Sequence, residues 1–327
     1  MSILLLNEDE LRQAINTSVA IEAIEAAFFT LAQGRTNSVE VAYLPLPETH
    51  GQVEIKGTYL SEAPYYIVKT ANTFLDNPTI NLPVQNEVLM VFDAATGFPA
   101  AIILDRGYLT QIQTGAAGSV VARHLANENL HQVAIIGTGQ QAYMQLKMLL
   151  SVRKVRKVSI WGRSLMNVDT YARRLMEEHD LDIEIAPSVQ AAIESADLII
   201  TATSSEQPLI EAEWLKPGVH ITAIGSNSST KQELHPEVLR RADVIIADKL
   251  SQCAEIGEIH HGLVAGTITL ADVQGELSDL VAGKIPGRTS PEQITVADLT
   301  GRSVQDSVMA ILALEKALFL GLGQRLT

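Results

Sequence analysis

The chain of 327 residues is too long for one ordinary core and points to two domains of roughly 100–200 residues each. Hydrophobic residues make up 46% of it, enough to fill both cores. The 38 acidic against 24 basic residues give a net charge of −14, which repels nucleic acid and anionic membrane and argues against either as a partner. The single cysteine, Cys253, excludes an intramolecular disulfide and fits a reducing, cytoplasmic compartment. The opening Met1-Ser2-Ile3-Leu4-Leu5-Leu6 has neither the basic start nor the apolar length of a signal peptide, and no uninterrupted apolar run is long enough to span a bilayer.

Apolar spacing through Ala20, Ile21, Ile24, Ala27, Phe28 and Leu31 predicts an amphipathic helix over 18–33, stopped by Gly34. Short β-rich segments follow at 41–44, 52–59, 65–71, 88–92 and 100–104, and their short turns predict an antiparallel sheet. A helix over 114–125 leads to the apolar strand 133–136. Beyond it, strands at 158–161, 183–185, 198–201, 220–224, 244–247 and 294–296 alternate with helices, the pattern of a doubly wound parallel sheet. A last helix is predicted over 305–320, ending at Gly321. The fold class is therefore α/β, with a Rossmann-type domain over 119–304. The strand-rich remainder, 1–118 with 305–327, reads as an α+β substrate domain.

The most specific local signal follows the strand 133–136: Gly137-Thr138-Gly139-Gln140-Gln141-Ala142, opening a helix. In a dinucleotide fingerprint the first glycine allows the tight turn, the second lets the pyrophosphate approach the backbone, and the small third residue keeps the helix close to the sheet. The helix N-terminus then offers free N–H groups to phosphate. A structural glycine turn is the plainer alternative. About 20 residues after such glycines a carboxylate would bind the adenosine ribose, whereas arginine and serine accommodate a 2′-phosphate. The residues here are Trp161-Gly162-Arg163-Ser164, which favours NADP(H) and leaves NAD(H) possible. Thr203, Gly225 and Ser226 lie at the carboxyl ends of predicted strands, where doubly wound sheets place ligands. His260-His261 lacks a clustered carboxylate or cysteine partner, so no metal site is expected, and Ser204-Ser205 lacks a nucleophile elbow.

The chain resembles the ornithine cyclodeaminase/mu-crystallin family, within it the branch labelled ectoine-utilisation or cyclodeaminase-like. The likeness covers nearly the whole length. It rests on Tyr66-Ile67-Val68-Lys69, Tyr108-Leu109-Thr110, Thr114-Gly115-Ala116-Ala117 and the glycine fingerprint. Further along it includes Trp214-Leu215-Lys216-Pro217-Gly218, Ile224-Gly225-Ser226, Lys231-Gln232-Glu233-Leu234 and Val281-Ala282-Gly283-Lys284. It closes with Thr295-Val296-Ala297-Asp298-Leu299-Thr300-Gly301 and Val304-Gln305-Asp306. The resemblance implies a homodimer joined through β-structure of the N-terminal domain, and hydride transfer at a carbon bearing nitrogen. The expected reaction is NAD(P)H-dependent reduction of a small imine, or of a 2-oxo acid with an amine, to an amino acid. Cyclodeamination of ornithine or lysine and alanine-type dehydrogenation are alternatives, as is a non-catalytic holder of NADPH and a small ligand.

By the same likeness Lys69 is the lysine at the substrate carboxylate or imine, and Thr114 joins the cofactor-binding residues. Lys56 shares strand parity with Glu54 and offers a second basic contact, or else a paired surface lysine. Two departures stand out. Many relatives carry arginine where this chain has Gln113, which offers hydrogen bonds but no charge. Cyclodeaminases place an aspartate where this chain has Asn227, an amide unable to act as a base.

Overall fold

The computed structural model of the chain describes residues 2–39 and 41–326. Its elements begin with β1 (Ile3–Asn7), α1 (Glu8–Ala14), α2 (Thr17–Ala32), β2 (Thr36–Ser38), β3 (Ala42–Leu46), β4 (Gly51–Leu60), β5 (Tyr65–Phe74), β6 (Gln85–Asp93), β7 (Pro99–Leu104) and α3 (Tyr108–Leu125). There follow β8 (Asn129–Ile136), α4 (Gln140–Leu149), β9 (Lys154–Trp161), α5 (Leu165–Glu178), β10 (Asp182–Ile185), α6 (Val189–Ile193), β11 (Leu198–Thr201) and β12 (His220–Ala223). The remainder is α7 (Pro236–Arg241), β13 (Val244–Ala247), α8 (Leu250–Cys253), α9 (Glu258–Val264), β14 (Gly275–Glu276), α10 (Leu277–Val281), β15 (Thr295–Asp298), α11 (Ser303–Leu320) and β16 (Gln324–Leu326). One compact unit comprises residues 1–113 and 302–327, the other residues 114–301.

In the first unit the strand order is β16-β1-β7-β6-β5-β4-β2, with β3 also on β4. The segments read as antiparallel strands, β3 to β7, do pair antiparallel. The sheet is mixed only through β1, which runs parallel to β7, Leu4 opposite Ala101, while β16 joins its other edge antiparallel. Leu4 and Leu6 alternate inward and are buried, a strand signal carried by too few residues to stand out. Cross-strand register puts Thr58, Ile67 and Val91 on one face, with Lys69 and Leu89 beside them. That buried face packs against α11, and α11 against α2. The helix α2 starts at Asn16, whose Oδ1 accepts from Val19 N at 2.9 Å.

The second unit is an all-parallel sheet in the order β10-β9-β8-β11-β12-β15-β13-β14. Strands β11, β12, β13 and β15 are buried along their full length, which explains their continuous apolar character. Apolar clusters fill both faces, one around Ile221, Ile245 and Val296, the other around Ile135, Ile160 and Leu175. The order reverses between β8 and β11, the switch point where such sheets bind ligands.

Two helices start earlier than their periodicity predicts. The helix expected over 114–125 begins at Tyr108, because the Asp105 carboxylate accepts from Gly107 N at 3.1 Å and Leu109 N at 2.7 Å. Likewise α5, expected from its sequence near 169–179, begins at Leu165, where Ser164 is its N-cap and accepts from Asn167 N. Among the described residues no single helix is long and apolar enough to cross a membrane. Leu6 is fully buried and Leu75 is 65% exposed. Leu6→Ala is therefore expected to cost about 2–5 kcal/mol in chemical denaturation, against less than about 0.5 kcal/mol for Leu75→Ala.

Candidate active site

Inward parity on β5 carries Lys69 under the sheet, where it is 3% exposed. Its ammonium donates to Thr110 Oγ1 and to Asp306 Oδ1 at 2.9 Å, and pairs with Glu87 Oε2 at 2.8 Å. All three N–H bonds are thereby committed. Thr110 in turn donates to Glu87 Oε2 at 2.6 Å. Burial works against the Lys69 charge, but Asp306 and Glu87 outweigh it and push the pKa up. Burial likewise opposes the Asp306 charge, yet the Lys69 and Lys56 charges and the bonds from Lys69 and Gln113 hold its pKa below the usual range. Lys56 lies directly opposite Lys69 across the β4–β5 pair and bonds Glu54 Oε1 at 3.1 Å.

Gln113 lies in α3, 5% exposed, and its Nε2 donates to Asp306 Oδ1 at 2.7 Å. An ionised carboxylate only accepts, so the amide must face it with nitrogen. The carbonyl, Oε1, is left buried without a partner. Where an arginine would present only donors, this position presents an acceptor.

In the second unit Gly137 closes the turn after β8 at φ +121°, and its N–H donates to Trp161 O at 2.9 Å. A Cβ there would lie 2.5 Å from Ala202 O. Gly139 is the N-cap of α4, with no side-chain cap and nothing within 4 Å of an added Cβ. Thr138 packs over Gly162, Gln140 is exposed, Gln141 leaves Oε1 buried without a partner, and Ala142 is fully buried. An uncapped helix start facing open space fits a pyrophosphate. After β9, Arg163 is exposed and bonds no described residue, whereas the Ser164 hydroxyl already caps α5.

Around the carboxyl ends of β11 and β12, Thr203 N and Gly225 N are held by the buried Glu233, and Ser226 Oγ donates to Lys231 O. Thr114 in α3 accepts through its carbonyl from Gln145 Nε2 at 2.8 Å. Asn227 is exposed, and its Oδ1 accepts from Lys231 Nζ at 2.8 Å. His260 Nδ1 and His261 Nε2 bond the Ala254 and Lys231 carbonyls, and no described group of His, Cys, Asp or Glu is arranged to hold a metal. Lys69, Lys56 and Gln113 thus share the first unit, while the glycine turn, Arg163, Ser164, Thr114, Thr203, Gly225, Ser226 and Asn227 share the second.

Sequence reasoning missed Glu87, Thr110, Asp306 and Glu233. Glu87 follows the inward alternation of Leu89 and Val91, so a carboxylate on an apolar face was its available signal. The others lay inside family motifs with no local cue to a role.

The Ornithine cyclodeaminase/mu-crystallin family model matches residues 2–319. An uncharacterised cyclodeaminase of Sinorhizobium fredii is 37% identical over 317 residues, 96% of this chain and 95% of its own. Among solved structures, an archaeal alanine dehydrogenase dimer with bound NAD matches with a TM-score of 0.94 at 31% identity, covering 100% of this chain and 99% of that one. Thermococcus litoralis Δ1-pyrroline-2-carboxylate reductase, in complex with NADH and L-proline, matches at 0.94 and 27%, covering 99% and 100%. The motifs recognised along the sequence, the doubly wound unit and this end-to-end agreement converge: the chain belongs to the ornithine cyclodeaminase/mu-crystallin family.

Proposed function

We propose that the protein is an NAD(P)H-dependent oxidoreductase working at a carbon–nitrogen centre, reducing a small imine to an amino acid, and that it acts as a homodimer. The observation that carries this reading is an end-to-end match to an amino-acid dehydrogenase and an imine reductase in a chain whose own Gly137–Ala142 turn leaves a helix start open for pyrophosphate. The nicotinamide, when bound, supplies the hydride. The chain's task is orientation and charge placement.

Lys69 polarises the substrate as a fixed positive charge. With its pKa raised it is a poor acid, so we assign the proton on nitrogen to water. Lys56 adds a second cation, and the free Gln113 carbonyl suits an N–H on the substrate. Asn227 orients through its amide and cannot replace a general base, which favours reduction over cyclodeamination. NADP(H) preference rests on the unpaired Arg163, since both solved relatives above hold NAD or NADH. The saturation of Lys69 favours one second reading, a holder of dinucleotide and small ligand without turnover.

For the homodimer, the outer face of the first unit's sheet is the surface we assign. Tyr66 and Phe92 stack there at 5.0 Å, Leu44 is exposed, and Val39, Ile55, Tyr59 and Val68 line a groove of about 410 Å³. A second copy is the partner, as in the archaeal alanine dehydrogenase dimer.

Reduced-nicotinamide absorbance with cyclic imino acids, oxo acids plus amines, and ornithine tests the reaction. We expect NADPH consumption with an imino acid, and a rise of roughly 10-fold in the NADPH KM of Arg163→Ala with NADH unaffected. Exclusive use of NADH rejects the cofactor preference; tight NADPH binding without turnover leaves the holder.

Lys69→Met tests the buried charge. In the wild type, Asp306 contributes stability that is lost only as pH falls through its depressed pKa, and Lys69 contributes stability lost only as pH rises above 10.5. Without the ammonium, Asp306 loses the largest charge that holds its pKa down, and that pKa rises. The variant should lose about 3–5 kcal/mol near neutral pH and recover part of it toward about pH 5, the opposite slope to wild type. Denaturation at both pH values reads the sign.

For the interface, sedimentation should give a dimer for the wild type and a monomer for Tyr66→Asp. A variant that stays dimeric rejects this face.

A further inference from the structure

Residues 231–234 carry part of the family likeness, and within them Glu233 occupies a place that the reaction scheme above leaves unused. It is fully buried, and no described lysine or arginine pairs with it. Its carboxylate spans the carboxyl ends of two neighbouring strands. Oε1 accepts from Thr203 N, two residues beyond β11, at 2.6 Å. Oε2 accepts from Gly225 N, two residues beyond β12, at 2.9 Å. A Cβ at 225 would stand 2.4 Å from both Glu233 Oε1 and Thr203 O, so only glycine lets the three groups meet. The brace is itself anchored. Glu258, also buried, accepts from Glu233 N at 2.8 Å and Leu234 N at 3.0 Å.

The position of these strands says which part of a dinucleotide the brace serves. In a doubly wound sheet the switch point divides two mononucleotide halves, and the adenosine half lies toward the strand that follows the glycine helix. That strand is β9, on one side of β8, while β11 and β12 lie on the other. The loops joined by Glu233 therefore border the nicotinamide half.

We propose that Glu233 is a positioning residue for the nicotinamide half of the cofactor site. It fixes the spacing of the Thr203 and Gly225–Ser226 loops without touching the ring. This rests on the nicotinamide reading above. Glu233→Gln keeps the size of the side chain but replaces one acceptor by an NH2 group, which sets a donor against a backbone donor on one of the two loops.

Full-length wild type and Glu233→Gln are titrated calorimetrically with NADPH, NADH and ADP, the last covering the adenosine half and pyrophosphate. We expect both dinucleotides to bind the variant about 10-fold more weakly or worse, with the ADP Kd within about 2-fold of wild type. Dinucleotide binding equal to wild type overturns the proposal, and so does an equal loss for ADP, which a general structural role would produce. A wild type that binds no dinucleotide overturns the nicotinamide reading first, and the brace with it. If the variant does not fold, amide hydrogen exchange on the wild type decides. The Thr203 and Gly225 amides should be protected in the free protein and about 10-fold slower still with NADH. Exchange at loop rates, or no response to NADH, overturns the brace.

Discussion

An ammonium with every hydrogen committed ties together segments at opposite ends of the chain. Lys69 on β5 joins Asp306 in the first turn of α11, 237 positions away, with Glu87 on the neighbouring strand and Thr110 in α3 completing the set. Removing these groups from water costs several kcal/mol per ion, and the pairing offsets this only because each bond is short and the ammonium leaves no donor unsatisfied. The last helix therefore belongs to the first unit through a charge as well as through the apolar contacts of Val304, Ala27 and Leu60. The consequence for chemistry is direct: the same carboxylates that make the lysine affordable to bury also hold its proton in place.

The second unit solves its buried charge differently. Glu233, Glu258 and Asp298 are all buried, and they accept hydrogen bonds from backbone N–H groups of loops beside the parallel strands and of the first turn of α9. Burial, with the Asp248 and Glu233 charges nearby, pushes Asp298 up to about 8. Burial and the Asp298 and Glu233 charges also push Glu258 well above the carboxylate range. Protons and peptide dipoles thus take the place that Lys69 fills in the other unit. Loops at a ligand-binding edge need fixed backbone donors and acceptors, and a buried carboxylate is a compact way to gather two donors from different strands.

The fold was legible wherever burial imposes a simple period. Parallel strands covered on both faces read as apolar runs, and α2 and α11 show their stripes at helical spacing. The glycine turn was legible because Gly137 is required by a close approach at positive φ, while Gly139 leaves the start of α4 open. What stayed hidden is short or non-local. Strand β1 carries only two buried leucines, and β16 pairs a polar, largely exposed segment. Ser164 read from sequence as a partner for a 2′-phosphate, and the structure uses its hydroxyl as a helix cap. The partners of Lys69 sit on three other elements, and no pattern along the chain announces an ion pair between residues 69 and 306.

The exchange of arginine for Gln113 acquires its meaning from that ion pair. A guanidinium at this position would stand against Asp306 and share its charge with Lys69. Glutamine still satisfies Asp306 through Nε2 but contributes no charge, so Lys69 is the one cation that directly pairs with both Glu87 and Asp306 among the described residues. One cation between two carboxylates is a net negative cluster, which explains why the lysine is more basic than usual despite its burial. It also fixes the polarity of the uncommitted end of the amide, which is a buried acceptor. A single uncharged residue thereby leaves a buried acceptor at a position where a guanidinium would present only donors.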